Sequence, residues 1–162
     1  VNAFVGNGET GVQVNNAKLG MAVYTGGTYA LKASGTAALA GITGVTLTGT
    51  ATLEVNKTSG AVNETINNVA IAFDSTQTNI TKVSGSLQMD IAGFARLDGD
   101  FGFEKTANKL LVGATNVNAF VGNGETGVQV NNAKLGMAVY TGGTYALKAS
   151  GTAALAGITG VT

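Results

Sequence analysis

The sequence predicts an all-β fold built from tandem copies, and three observations lead to that prediction. Residues 1–46 recur without one change as residues 117–162, an offset of 117 − 1 = 116 residues, and such a fixed period is typical of repeat architectures. Apolar residues alternate with small or polar ones, which is the period of a β-strand. The chain also has 25 glycines, no proline and only 11% charged residues, a composition that favours strands and turns.

The repeats divide the chain at two levels. Residues 1–116 form one full unit and residues 117–162 begin the next, identical unit, so we interpret the sequence as part of a longer tandem array. Inside the unit, Ser34–Glu54 aligns without a gap with Ser84–Glu104, an offset of 84 − 34 = 50 residues. This weaker match divides the unit into half-units of about residues 14–65 and 66–129. The second half-unit carries an extra segment, residues 106–129.

The alternation predicts where the strands lie and which face of each is buried. Apolar residues recur at alternate positions, with glycine at one position of the series in three cases (Gly35, Gly49 and Gly99), in residues 19–23, 29–39, 45–55, 69–73, 87–91, 97–103 and 117–121. In the first of these, Leu19, Met21 and Val23 are expected on the buried face. The alternate positions are small or polar and are expected to face solvent. No helix is expected, because Gly35, Gly41 and Thr43 flank the Ala-rich residues 36–40 and make a helix there costly.

The turn at Thr25-Gly26-Gly27 can be assigned from the strands that flank it. A three-residue loop pairs Val23 with Tyr29 and Met21 with Leu31, which places apolar residues opposite one another. A two-residue loop would pair Met21 with Lys32 and mix the two faces. The sequence therefore predicts an antiparallel hairpin with a three-residue loop.

Two architectures remain open at this point. One is an elongated, continuous β structure resembling a β-solenoid, in which each coil stacks on the last. The other is a series of antiparallel β-sandwich modules in tandem. The first is preferred because no proline-rich linker or change in composition marks the boundary between units. The second is supported by the hairpin and by the uneven internal period.

Composition argues against several classes of function. The chain has no histidine, so the commonest general base and the usual catalytic triads are missing, and we expect no enzyme activity. Its nine basic and nine acidic residues balance, which gives no electrostatic reason to bind nucleic acid. Cysteine is absent, so neither disulfides nor thiolate metal sites can form. No membrane span or signal peptide is expected within these residues.

Two groups of residues are candidates for binding sites. Asp98, Asp100 and Glu104 share one parity along a predicted strand, and carboxylates are the ligands that Ca²⁺ prefers. The alternative interpretation is a solvated strand face, and no other cofactor is expected. Tyr24 and its copy Tyr140 lie beside the predicted turn on the face opposite Tyr29, where an aromatic ring could contact a sugar. Tyr29 itself is expected to pack in the core.

Three stretches carry a resemblance to a known class of proteins. Residues 84–105 (SGSLQMDIAGFARLDGDFGFEK), 110–122 (LLVGATNVNAFVG) and 26–39 (GGTYALKASGTAAL) resemble repeats of giant secreted bacterial surface proteins of adhesin type. The resemblance implies an extracellular or cell-surface protein in which this chain is a stiff spacer in surface attachment or cell–cell contact. Its expected partners are neighbouring repeats and other copies in a fibre. The alternative function is a repeat module that binds Ca²⁺ or carbohydrate.

Overall fold

The computed structural model describes residues 1–157, with the backbone alone for residues 3–7 and 12, so the end of the second copy, residues 158–162, lies outside it. The described residues form strands and turns and no helix, which confirms the all-β prediction. None of residues 1–157 therefore belongs to a helix that could cross a membrane. The strands are β1 Ala3–Asn7, β2 Thr10–Val23, β3 Tyr29–Ala40, β4 Val45–Asn56, β5 Val62–Ile66, β6 Val69–Phe73, β7 Ile80–Ile91, β8 Ala95–Lys105, β9 Lys109–Gly122, β10 Gly127–Tyr140 and β11 Tyr145–Ala156.

Nine of these strands form one open antiparallel sheet in the order β1-β2-β3-β4-β7-β8-β9-β10-β11. Each strand of this sheet pairs with the strand before it and the strand after it in the chain, except that β4 pairs with β7. The intervening strands β5 and β6 pair with each other and form a separate two-stranded sheet. The order is that of a meander. The β-solenoid that the sequence analysis preferred is not shown, because successive coils of a solenoid stack parallel strands, whereas every strand pair of this sheet is antiparallel. An antiparallel sheet of this kind is consistent with one layer of a β-sandwich.

The identical stretches of the two copies adopt the same strands in the same register. Val23 pairs with Tyr29 and Met21 with Leu31 in the first copy, and Val139 pairs with Tyr145 in the second. Tyr24 N donates to Thr28 O at 2.8 Å, which closes a loop of residues 25–27 and confirms the three-residue prediction. The positive φ of both glycines in that loop, 91° and 80°, explains why the turn contains Gly26-Gly27.

The two faces of the sheet differ in chemistry. Alternation places Leu19, Leu53, Val83 and Phe103 on one face, which we call the apolar face. The opposite face, which we call the charged face, carries nearly all the charged residues of the sheet strands: Lys18, Lys32, Glu54, Lys82, Asp90, Arg96, Asp98, Asp100, Glu104, Lys109, Lys134 and Lys148. Lys105, at the end of β8, is the one charged strand residue on the apolar face.

The hairpin β5–β6 folds back over the charged face of β2 and β3. Its side chains Ile71, Phe73 and Val62 are buried there and form the core with Ala30 and Ile80, while Ala22 and Tyr24 pack around them. The hairpin can approach closely because β2 offers Gly20, whose position lies directly beneath Val69 and Ile71.

A buried asparagine holds the two connections of the hairpin. The Asn56 side chain, fully buried at the end of β4, donates to Gly60 O at 3.2 Å and to Gln77 O at 2.8 Å. Its carbonyl oxygen accepts hydrogen bonds from Thr58 N and Oγ1 at 2.9 and 2.8 Å. All of its polar atoms are therefore satisfied, as burial requires.

The prediction of which face of β2 is buried was wrong. Leu19 and Met21 are 57% and 48% exposed, whereas the small residues Gly20 and Ala22 lie under the hairpin. Small side chains allow a second layer to approach the backbone, and the larger residues of the apolar face meet no such layer within residues 1–157. Tyr29, expected in the core, is likewise on the apolar face and 36% exposed.

Candidate functional site

The boundary between the two copies lies inside a strand. β9 begins in the first unit and ends with residues 117–122 of the second, and it pairs with β8 on one side and β10 on the other. The same stretch at the start of the chain forms β1, which pairs with β2 in the register that β9 uses with β10. No linker separates the copies, and we call this boundary within β9 the seam.

Asparagines in the left-handed region put a bulge in each strand next to the seam. Asn16 in β2, Asn116 in β9 and Asn132 in β10 have φ of 53°, 54° and 50°, and the pairing shifts beside each of them. Asparagine tolerates this backbone conformation better than most residues. Each bulge bends and twists its strand locally. Asn16 and Asn132 are equivalent residues of the two copies, so their bulge recurs with the repeat.

A hydrogen-bonded cluster joins the two copies across these bulges. Asn118 Oδ1 accepts from Asn132 N at 3.1 Å, and Asn118 Nδ2 donates to Asp98 Oδ2 at 2.9 Å. Next to it, Asn116 Nδ2 donates to Asp100 Oδ2 at 2.8 Å. Asp98 and Asp100 belong to the first unit, whereas Asn118 and Asn132 belong to the second. The cluster therefore connects the side chains of one repeat to the backbone of the next.

The electrostatics of the cluster favour a charged Asp100. Ser86 Oγ also donates to this carboxylate. The hydrogen bonds from Ser86 and then from Asn116 hold the pKa of Asp100 below its usual range. Hydrogen bonding to the charged form of a carboxylate has this effect.

The three acidic residues predicted as Ca²⁺ ligands do not converge. Asp98, Asp100 and Glu104 share the charged face, as their parity predicts, and Asp98 and Asp100 line one shallow groove there. Glu104 lies four residues further along β8, about 14 Å at ~3.4 Å per residue. Among residues 1–157, no three His, Cys, Asp or Glu side chains form a group that could hold a metal ion. The two aspartates are bonded to asparagine amides instead.

The two tyrosines predicted as sugar contacts have different environments although their sequences are identical. Tyr24 packs against the hairpin core, and its hydroxyl donates to Glu64 Oε1 at 3.3 Å. Burial, and then the adjacent Glu64, raise the pKa of Tyr24. Tyr140 has no such hairpin over it within residues 1–157 and is 47% exposed. The ring is therefore a packing residue wherever the hairpin is present.

A row of alternating charges crosses the charged face beside the hairpin. Lys32, Glu54, Lys82 and Glu104 lie opposite one another on four adjacent strands. Lys32 Nζ and Lys82 Nζ lie 3.0 and 3.3 Å from the two carboxylate oxygens of Glu54. Partial burial raises the pKa of Glu54, but the hydrogen bonds and charges of Lys32 and Lys82 outweigh it and lower the pKa.

Sequence reasoning missed the asparagines that join the copies. Asn118 was interpreted only as a solvent-facing position of the predicted strand 117–121, Asn116 was given no role, and nothing in their spacing indicated a partner on β8. The available signal was the motif Asn116-Val117-Asn118 at the boundary of the repeat. Its two asparagines are two residues apart, as Asp98 and Asp100 are, and alternation therefore places each pair on one face of its strand. Only the register between β8 and β9 brings the two pairs together.

Comparisons with known proteins give no match. No protein-family model, curated protein or solved structure is significantly similar to this chain.

Proposed function

We propose that this chain is a structural repeat of an extracellular fibre or adhesin stalk, which acts as a stiff spacer in surface attachment or cell–cell contact. Its length would come from the addition of strands to one sheet. The proposal combines the resemblance of residues 84–105 and 110–122 to adhesin repeats with the seam geometry and with the lack of histidine.

The observation that carries the proposal is the strand β9, which belongs to both copies. A spacer resists bending when no flexible segment separates its units. Here the backbone hydrogen bonds of β8, β9 and β10 run through the boundary, and the Asn118 side chain bonds to both neighbours. Six strands, β2, β3, β4, β7, β8 and β9, separate equivalent positions of successive copies. At ~4.8 Å per strand, each unit would add about 29 Å.

The experiment is to lengthen the array and measure its dimensions. Chains with two, three and four complete 116-residue units are compared by small-angle X-ray scattering and electron microscopy. A constant cross-section with an increment of about 29 Å per unit supports the proposal. Beads separated by variable gaps, or a length that does not grow with the number of units, would contradict it.

The alternative function is a repeat that binds Ca²⁺ through Asp98 and Asp100, which line one shallow groove, or carbohydrate through Tyr24 or Tyr140. The packing of Tyr24 under the hairpin favours the structural role. A melting temperature that rises with Ca²⁺ and falls with chelator, or retention on a glycan array that is lost in Tyr140→Ala, would support binding over scaffolding.

A further inference from the structure

The apolar face of the sheet is a surface without a partner within residues 1–157. One row of paired residues crosses eight adjacent strands on this face and contains only apolar side chains: Leu19, Ala33, Leu53, Val83, Phe103, Val112, Met137 and Leu147. Leu19, Phe103 and Leu147 are 57%, 46% and 55% exposed. Soluble monomers rarely expose a continuous apolar patch of this extent, and larger patches mark interaction surfaces.

The distribution of charge indicates a dry interface on this face. The charged residues of the sheet strands lie on the opposite face, except Lys105 at the end of β8. The hairpin β5–β6 covers part of that opposite face and leaves the apolar face open. Loss of charged residues from the centre of a surface is the compositional mark of an interface core.

We propose that the apolar face binds the apolar face of a second copy of this chain, so that two sheets form a β-sandwich about 10 Å thick. Its area is sufficient for a stable dimer. The eight strands of the row span about 34 Å at ~4.8 Å per strand, and 12-residue strands are about 40 Å long. Their product is about 1,400 Å² per chain, against roughly 800 Å² per partner in a standard interface.

The shape of the face suits packing against itself. Beside the row of larger side chains runs a row that is mostly glycine and alanine, including Gly35, Ala51, Gly85 and Ala149. A groove of about 680 Å³ opens on this side and includes Phe101, Ala114 and Ala149 in its lining. A two-fold axis would place the ridge of one sheet in the groove of the other, as the facing side chains of β-sandwiches interdigitate. This pairing does not depend on the proposed function, because a dimer could form whether or not the units serve as a spacer.

The test uses two adjacent residues of β7 that point to opposite faces. Val83, 40% exposed, lies on the apolar face, and Ser84 lies on the charged face. We expect the full chain to have a mass of 2 × 16.1 = 32.2 kDa by light scattering after size exclusion. Val83→Lys should shift it to 16.1 kDa, whereas Ser84→Lys should leave the dimer intact. Far-UV circular dichroism checks that both variants keep the sheet.

Cross-linking provides a second measurement that does not require a disruptive change. Because the chain has no cysteine, Val83→Cys and Ser84→Cys each introduce a single thiol. A bifunctional maleimide about 10 Å long, matched to the sheet separation, should join Val83→Cys chains and not Ser84→Cys chains. A monomer at every concentration, equal cross-linking of the two variants, or binding to zwitterionic vesicles in place of dimerisation would each overturn the proposal.

Discussion

Gly20 and Gly136 are the same residue of two identical copies, and they offer a matched test of the hairpin packing. A Cβ atom at Gly20 would lie 3.0 Å from Val69 Cγ1 and 3.2 Å from Ile71 Cδ1, whereas a Cβ at Gly136 would have no neighbour within 4 Å. Gly20→Leu must therefore displace the hairpin, and Gly136→Leu need not displace anything. The local sequence is identical, and the two sites differ in pairing, because Gly20 pairs with β3 alone whereas Gly136 pairs with both β9 and β11.

The magnitude follows from what the hairpin buries. Overpacking a filled site costs about 1–3 kcal/mol. Complete detachment would cost more, because Ile71, Phe73 and Val62 are nearly fully buried and each contributes about 1.5–3 kcal/mol. We expect the hairpin to shift and remain attached, so that Gly20→Leu lowers the free energy of unfolding by about 2 kcal/mol. The melting temperature then falls by roughly 4–8 °C for a chain of this size.

Thermal and urea unfolding followed by far-UV circular dichroism measure the difference between the two variants. Gly136→Leu should stay within about 0.5 kcal/mol of the parent chain, as surface changes generally do. Limited proteolysis should cut residues 57–79 faster in Gly20→Leu alone. Equal shifts of the two melting temperatures, or no effect of Gly20→Leu, would refute the assignment of the hairpin to this face.

Two further predictions concern the charged face. Glu54→Gln should lower the free energy of unfolding by about 1 kcal/mol, because it removes two cross-strand ion pairs, whereas Glu104→Gln, which makes no ion pair within residues 1–157, should be nearly neutral. Because the folded-state pKa of Glu54 is lowered, the stability that ionised Glu54 contributes is fully present above its unfolded-state pKa and is lost as pH falls through its folded-state pKa. Urea melts between pH 7 and pH 2 should therefore show that the free energies of unfolding of the parent chain, Glu54→Gln and Glu104→Gln converge at the acid end. Asn118→Ala removes the hydrogen bonds to both Asp98 and Asn132 and should lower the free energy of unfolding by about 1–2 kcal/mol. The control Asn2→Ala loses only the bond to Asn16 N at 3.2 Å and should lower it by about half as much. Equal losses of stability in thermal melts would argue against a role for the Asp98 contact.

The parts of the fold that sequence reasoning recovered are those that depend on neighbours along the chain. The hairpin register at Val23 and Tyr29 followed from parity, and the glycine pair in its loop followed from the backbone conformation that the loop requires. Most strands followed from alternation, but β5 was not predicted, because residues 62–66 lie outside every range that the alternation marked. The charged-face position of Asp98, Asp100 and Glu104 also followed from alternation along β8.

The candidate site was not predictable to the same degree. Its contacts run between β8 and β9, and their register depends on the bulge at Asn116, which alternation does not reveal. The hydrogen bonds of Asp98 and Asp100 to asparagine amides could therefore not be inferred, nor could the distance that separates Glu104 from them.

The sequence by itself determined that this chain is a tandem repeat of β-strands, because an exact 116-residue period and a period of two are visible without coordinates. The tertiary structure decided which face of those strands carries the second layer. Alternation distinguishes two faces but does not say which one is covered, and here the hairpin covers the side where glycine and alanine let its backbone come close. The larger apolar side chains remain on the other face.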